Sequence, residues 1–228
     1  MIEGLPALPV SATPHEKPPS SIQAWTDFEF NVLQTLTLRI KILSHAQISR
    51  LWGTANRQTS AVSQTLTKLC SAGLLERYVI NVPSPLGLTK PIAHWQLGDE
   101  TLDGEYVSHL AKSRWKRPGE PTEVCVASKK AANLFGSNSL GLPSIDHRLH
   151  ALVLADAYIA SQSNSPNLNW NGDRYFQSPG SPQSAPFAVL SEGGSASRAI
   201  LSAGMSGECR INAIHDRFSN IPLPYELW

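Results

Sequence analysis

Charge is what this chain has least of. Lys, Arg, Asp and Glu make up only 16% of the 228 residues and nearly cancel, leaving a formal net charge of +1. Taken whole, so even a balance excludes a chain that binds polyanions or membranes through bulk charge. Cysteine is scarce too: Cys70, Cys125 and Cys209 stand far apart, with no CxxC pair and no histidine at ligand spacing. That argues against a zinc site or a disulfide framework and for a reducing compartment. No apolar run approaches the roughly 18 residues a membrane-spanning helix needs. The N-terminus lacks the basic-then-apolar order of a signal peptide. The expectation is a soluble, cytoplasmic protein with no membrane partner, no metal and no cofactor. Apolar residues at 41% suffice for a real core, and the length allows one large domain or two small ones.

What charge there is lies unevenly. Between Arg39 and Lys90 the cations are Arg39, Lys41, Arg50, Arg57, Lys68, Arg77 and Lys90, against Glu76 alone, a local balance of +6. From Pro118 onward seven Lys/Arg face nine Asp/Glu. A basic segment joined to a neutral one is the pattern of a nucleic-acid-binding module attached to a module that does not bind.

The local signals divide the chain in the same way. Residues 1–24 carry five prolines and no periodicity, which reads as a disordered tail. Thr26-Asp27-Phe28-Glu29 is a capping box opening a first helix, with Phe30, Leu33, Leu36 and Thr37 at helical spacing. Ser44-His45-Ala46-Gln47 opens a second through Trp52, with Ala46, Ile48, Leu51 and Trp52 turned inward. A third helix is expected from Arg57 to Ala72, its apolar face Val62, Leu66, Leu69 and Cys70 and its C-cap Gly73. Leu74–Ile80 and Ile92–Leu97 read as two strands of a hairpin about a Pro/Gly-rich turn. Three capped helices and a hairpin are the order of a winged helix-turn-helix at residues 25–98. Residues 99–121, with the basic cluster Lys112, Arg114, Trp115, Lys116 and Arg117, read as a linker bearing a short helix near Tyr106–Trp115. Residues 122–228 read as a small α/β domain: a strand at Thr122–Ala127, a helix at Ser128–Phe135, and a long helix from Ile145 to Ser161. The buried stripe of that long helix is Ile145, Leu149, Leu152, Val153, Ala157 and Ala160. A loop around Trp170, strands at Phe187–Leu190 and Arg198–Leu201 and a helix at Glu208–Phe218 complete it. The fold class is thus α+β.

The third helix carries the functional expectation. The major groove admits an α-helix and displays a distinct donor, acceptor and methyl pattern for each base pair. A reading face needs short polar side chains, and Arg57, Gln58, Thr59, Ser60, Ser63, Gln64 and Thr67 supply them. Arg50, Lys68, Arg77 and Lys90 are the candidates for phosphate contacts, which fix register without reading sequence. If about five phosphates are neutralised, log K falls with log salt at a slope of about −4 to −5. One such face makes few base contacts, so a homodimer on a two-fold site is expected.

Five segments carry a family likeness: QISRLW (Gln47–Trp52), LTKLCSAGLLERY (Leu66–Tyr78), HRLHALVLADAYIA (His147–Ala160), LNWNGD (Leu168–Asp173) and LPYELW (Leu223–Trp228). In their order the chain resembles the replication-relaxation family of plasmid and mobile-element proteins. That resemblance implies an N-terminal winged helix and a C-terminal domain of nuclease-like fold. Nuclease chemistry of that kind needs an acid on one strand and an acid–x–Lys on the next, converging on a metal. Here Pro186-Phe187 and Ala199-Ile200-Leu201 stand at those places, while Asp156, Asp173, Glu192 and Glu208 lack the spacing. His147 and His150, three apart on a helix with Asp146 the one carboxylate beside them and no thiol, read as ordinary surface. The second domain therefore reads as catalytically empty, serving dimerisation or partner binding. The expected function is a sequence-specific double-stranded-DNA-binding regulator of transcription, replication or transfer, and not an enzyme. A metal-dependent nuclease and a winged-helix protein-interaction module are the alternatives.

Overall fold

The computed structural model describes residues 25–53, 59–83, 87–115, 118–137, 141–164, 167–172 and 187–228. The expected tail (1–24), Arg57, Gln58, Lys116, Arg117 and Asp173 lie outside them. The class is mixed α and β, in keeping with the α+β expectation, with helices and strands interleaved along the chain.

Local chemistry forms the first helices as anticipated. Helix α1 (Asp27–Gln34) starts at a complete capping box: the Thr26 hydroxyl accepts from the Glu29 N–H while the Glu29 carboxylate accepts from the Thr26 N–H. It continues as a π-helical turn, Thr35–Arg39. After β1 (Leu43–Ser44), α2 (His45–Trp52) has the second box, from Ser44 and Gln47. Its inward face includes Ile48, Leu51 and Trp52 as expected but not Ala46, which is exposed. Gln47 is fully buried instead, its amide also donating to the Leu152 carbonyl at 2.8 Å. Helix α3 (Thr59–Ser71) buries Val62, Leu66 and Leu69. It ends in a Schellman turn: Leu74 N–H reaches Leu69 O, Gly73 N–H reaches Cys70 O, and Gly73 takes φ +68°.

Strand pairing departs from the expected hairpin. β2 (Leu75–Pro83) pairs antiparallel not with Ile92–Leu97 but with β4 (Gly119–Ala127), in register from Leu75↔Ala127 to Pro83↔Gly119. β4 also pairs with β1, giving a three-stranded sheet of order β1-β4-β2. β3 (Ala93–Trp95) instead joins β8 (Tyr225–Leu227) at the edge of a five-stranded sheet of order β3-β8-β7-β6-β5. In that sheet β5 (Asn169–Asn171), β6 (Phe187–Glu192) and β7 (Ser195–Leu201) form an antiparallel meander, and β8 returns parallel to β7. A parallel return needs a crossover, and α7 (Glu208–Ser219) supplies it. The expected linker is likewise built into the body. Its α4 (Gly104–Ser113) packs on α7, and its last residues belong to β4.

Three buried clusters run through these parts. After α5 (Lys129–Leu134) comes α6 (Ile145–Asn164), which buries every residue from His150 to Ala160, as a helix apolar all round must. Only Ile145 of its expected stripe points out, 75% exposed. α6 shares one cluster with Val32, Leu33 and Leu36 of the first helix, Val62 and Leu66 of α3, and Leu190, Ile200 and Trp228 of the larger sheet. The other face of that sheet, with Ala199, Leu201, Tyr225 and Leu227, buries Val107, Ala111, Ile211 and Phe218 from α4 and α7. The strict alternation Ala199, Ile200, Leu201 between the two clusters is the two-residue period of a strand covered on both sides. The loop expected around Trp170 is strand β5 there, and Trp170 is buried with its indole N–H donating to Arg39 O at 2.9 Å. Among the described residues no helix is long and apolar enough to cross a membrane.

Candidate nucleic-acid interface

The burial of Val62, Leu66 and Leu69 against α1, α2 and α6 turns the opposite side of α3 outward. Ser60, Gln64, Thr67, Lys68 and Ser71 are exposed along one stripe, and Ser63 is half-buried at its margin. Of the expected reading residues, Arg57 and Gln58 fall outside the described residues. Thr59 begins the helix. The Thr67 hydroxyl is already engaged: it donates to Ser63 O at 2.9 Å and accepts from Arg77 Nη2 at 3.1 Å. That last bond brings strand β2 onto the reading helix, so Arg77 and Thr67 form one unit.

The stripe is open, but the cations around it are largely partnered. Lys68 Nζ lies 2.5 Å from Glu29 Oε1, its side chain 63% exposed and that of Glu29 3%. The Lys68 ammonium, with the Thr26 groups adding to it and burial opposing, lowers the Glu29 carboxyl below the usual glutamate range. Arg77 Nη1 stands 3.5 Å from Glu123 Oε1 across the β2–β4 pairing. The +6 counted along residues 39–90 is therefore reduced by acids from outside that window: Glu29, Glu123 and Asp156.

Arg50 and Lys90 do not join this cluster in the way expected. Arg50 points to α6, where its Nη1 lies 2.7 Å from Asp156 Oδ1, and its Nη2 donates to Leu88 O at 3.3 Å. Asp156 is fully buried, and its other oxygen accepts the N–H groups of Gly87 (2.8 Å) and Leu88 (3.0 Å). A buried carboxylate so satisfied anchors both α2 and the chain leaving β2. Lys90 is exposed on that outgoing segment, and because β2 pairs with β4 it is not on a hairpin tip. Its carbonyl accepts from Arg114 Nη2 at 3.1 Å. Arg114, expected as an exposed linker cation, is half-buried beside Asp156, and loss of hydration lowers the pKa of its guanidinium.

Sequence reasoning missed Asp156, which no spacing marked, and the pair of acids beside the reading helix. It also missed Lys130, whose Nζ caps the end of the α3 region through Ala72 O at 2.9 Å. No family model, curated protein or solved structure matches the chain. Among the described residues no three His, Cys, Asp or Glu side chains are grouped so as to hold a metal ion. His150 is buried rather than surface, its Nδ1 3.0 Å from Ser202 Oγ, and its pKa is lowered to about 4, chiefly by burial. Burial pushes the Cys125 thiol up to about 12, so it is no ready nucleophile. What this region offers is an open, hydrogen-bonding helix face flanked by the paired cations Lys68 and Arg77.

Proposed function

We propose that the chain is a sequence-specific double-stranded-DNA-binding protein whose α3 enters the major groove. One observation carries the reading: a stripe of short polar side chains, Ser60, Gln64, Thr67 and Ser71, stands exposed on a helix whose other side is locked into the core. Support comes from its setting. α1, β1, α2, α3, β2 and β4 follow the order of a winged helix, and β2 packs against α3 while β4 packs against α2. The link between those strands is then the excursion 84–118 rather than a short wing.

The resemblance to replication-relaxation proteins directs the reading towards control of plasmid or mobile-element replication, transfer or transcription. A non-catalytic role is the reading for the C-terminal sheet, because Pro186-Phe187 and Ala199-Ile200-Leu201 stand where the resemblance implies an acid and an acid–x–Lys. Two copies on a two-fold site are expected, because one helix face reads only a handful of base pairs.

The test is duplex binding by fluorescence anisotropy across a salt series. With Arg50 held by Asp156, and Lys68 and Arg77 paired with Glu29 and Glu123, Lys90 and at most one of the paired cations meet phosphate, and the slope of log K against log salt is expected to be about −1 to −2. Absence of binding to any duplex at low salt contradicts the reading.

A further inference from the structure

We propose that Glu29 and Glu123 are specificity-determining residues: their carboxylates hold Lys68 and Arg77 in check, so that phosphate contact alone does not bind duplex well. The inference rests on the DNA-binding reading and adds to it a device against indiscriminate binding.

The geometry is asymmetric in a telling way. Glu29 cannot follow Lys68 outward, because its other oxygen accepts the Thr26 N–H at 2.8 Å and its side chain is 3% exposed. Lys68 extends from the solvent-facing stripe of α3 and is free to swing. A phosphate arriving at Lys68 must therefore take the ammonium from a fixed anion and then sit near that anion. Arg77 repeats the arrangement on the strand side, tied to Thr67 of the reading helix by one nitrogen and facing Glu123 with the other. Phosphate contacts supply most of non-specific binding. Weakening them raises the share of affinity that must come from base edges touched by Ser60, Ser63 and Gln64.

Glu29→Gln is a clean probe, since glutamine at this position of a capping box still accepts from the Thr26 N–H while losing the charge. The readout is anisotropy on a short random-sequence duplex and on a duplex selected from a random pool. Glu29→Gln is expected to bind the random duplex about two- to fivefold more tightly, the range of an exposed ion pair turned into affinity. Its salt slope should steepen by about 0.9, one more phosphate engaged, and the ratio of selected to random affinity should fall. Lys68→Gln should cost more in the Glu29→Gln background than in the wild type. Glu123→Gln, on an exposed strand position where the fold is not at stake, should act in the same direction through Arg77. Wild-type binding with both variants unchanged in affinity, slope and ratio overturns this inference and leaves the DNA reading standing. Failure of wild type and variants alike to bind any duplex overturns both.

Discussion

At the scale of single residues, the largest expected effect on stability comes from His150, far from the exposed stripe of α3. His150 packs against Gly204, where a methyl would come within 2.6 Å of its Cε1 and where the backbone has φ +52°. Gly204→Ala is expected to lower stability by about 1–3 kcal/mol, combining the left-handed backbone with the clash, readable as a drop in Tm. The lowered pKa of His150 gives a pH signature. Between its folded value of about 4 and the ordinary 6.5, the unfolded chain holds a proton that the folded chain does not. Stability therefore rises with pH through that window, by as much as about 3 kcal/mol across it. Denaturant melts between pH 5 and 6.5 should show this rise in the wild type and a flatter response in His150→Asn. Glu29 acts at lower pH: its depressed pKa contributes stability above the ordinary glutamate range that is lost as pH falls through the folded value. The setting of His150 was not legible in the sequence, because His150 and Ser202 are 52 residues apart and nothing local marks their meeting.

Elements were legible where the signal is local. Both capping boxes and the Gly73 turn follow from neighbouring residues, and the helices begin or end where those residues stand. Partners were not legible, because Ile92–Leu97 and Thr122–Ala127 both have strand character and only the packing of α6 selects between them as mates for β2. Ile80, Val82, Val124 and Val126 bury one face together against Ala151 and Leu152, which fixes the β2–β4 register. The charge reading failed for the same reason, since Arg50 and its counter-ion lie 106 residues apart. Two predictions belong here. Gln47→Leu keeps the volume but removes the extra donor to Leu152 O and leaves the Ser44 N–H without its acceptor, so it should cost about 1–3 kcal/mol in chemical denaturation. Asp156→Ala leaves Arg50 and two backbone N–H groups without their acceptor and should cost about 3 kcal/mol. Duplex binding by the folded fraction should survive both.

At the scale of the whole molecule, the two expected domains exchange strands. The N-terminal sheet is completed by β4, and the C-terminal sheet is extended by β3 from inside the sequence span first read as a winged helix. α1, α2, α3, α6 and the larger sheet share one buried cluster, so the chain is expected to unfold as one cooperative unit. A fragment of residues 25–98 lacks β4 and should show no cooperative melt by circular dichroism, whereas the full chain should melt in a single transition. An independently folding fragment would contradict that account. α3 packs into this shared core along one side, and under the DNA-binding proposal that packing would hold its exposed side chains in place against base edges.

The most direct measurement is therefore the base preference of wild type and Gln64→Ala, each selecting from a pool of randomised duplexes. The account predicts that Gln64→Ala relaxes or changes preference at one or two positions while the salt slope stays the same. An unchanged preference, or an equal loss of affinity on every sequence, would show that the exposed side of α3 does not read DNA.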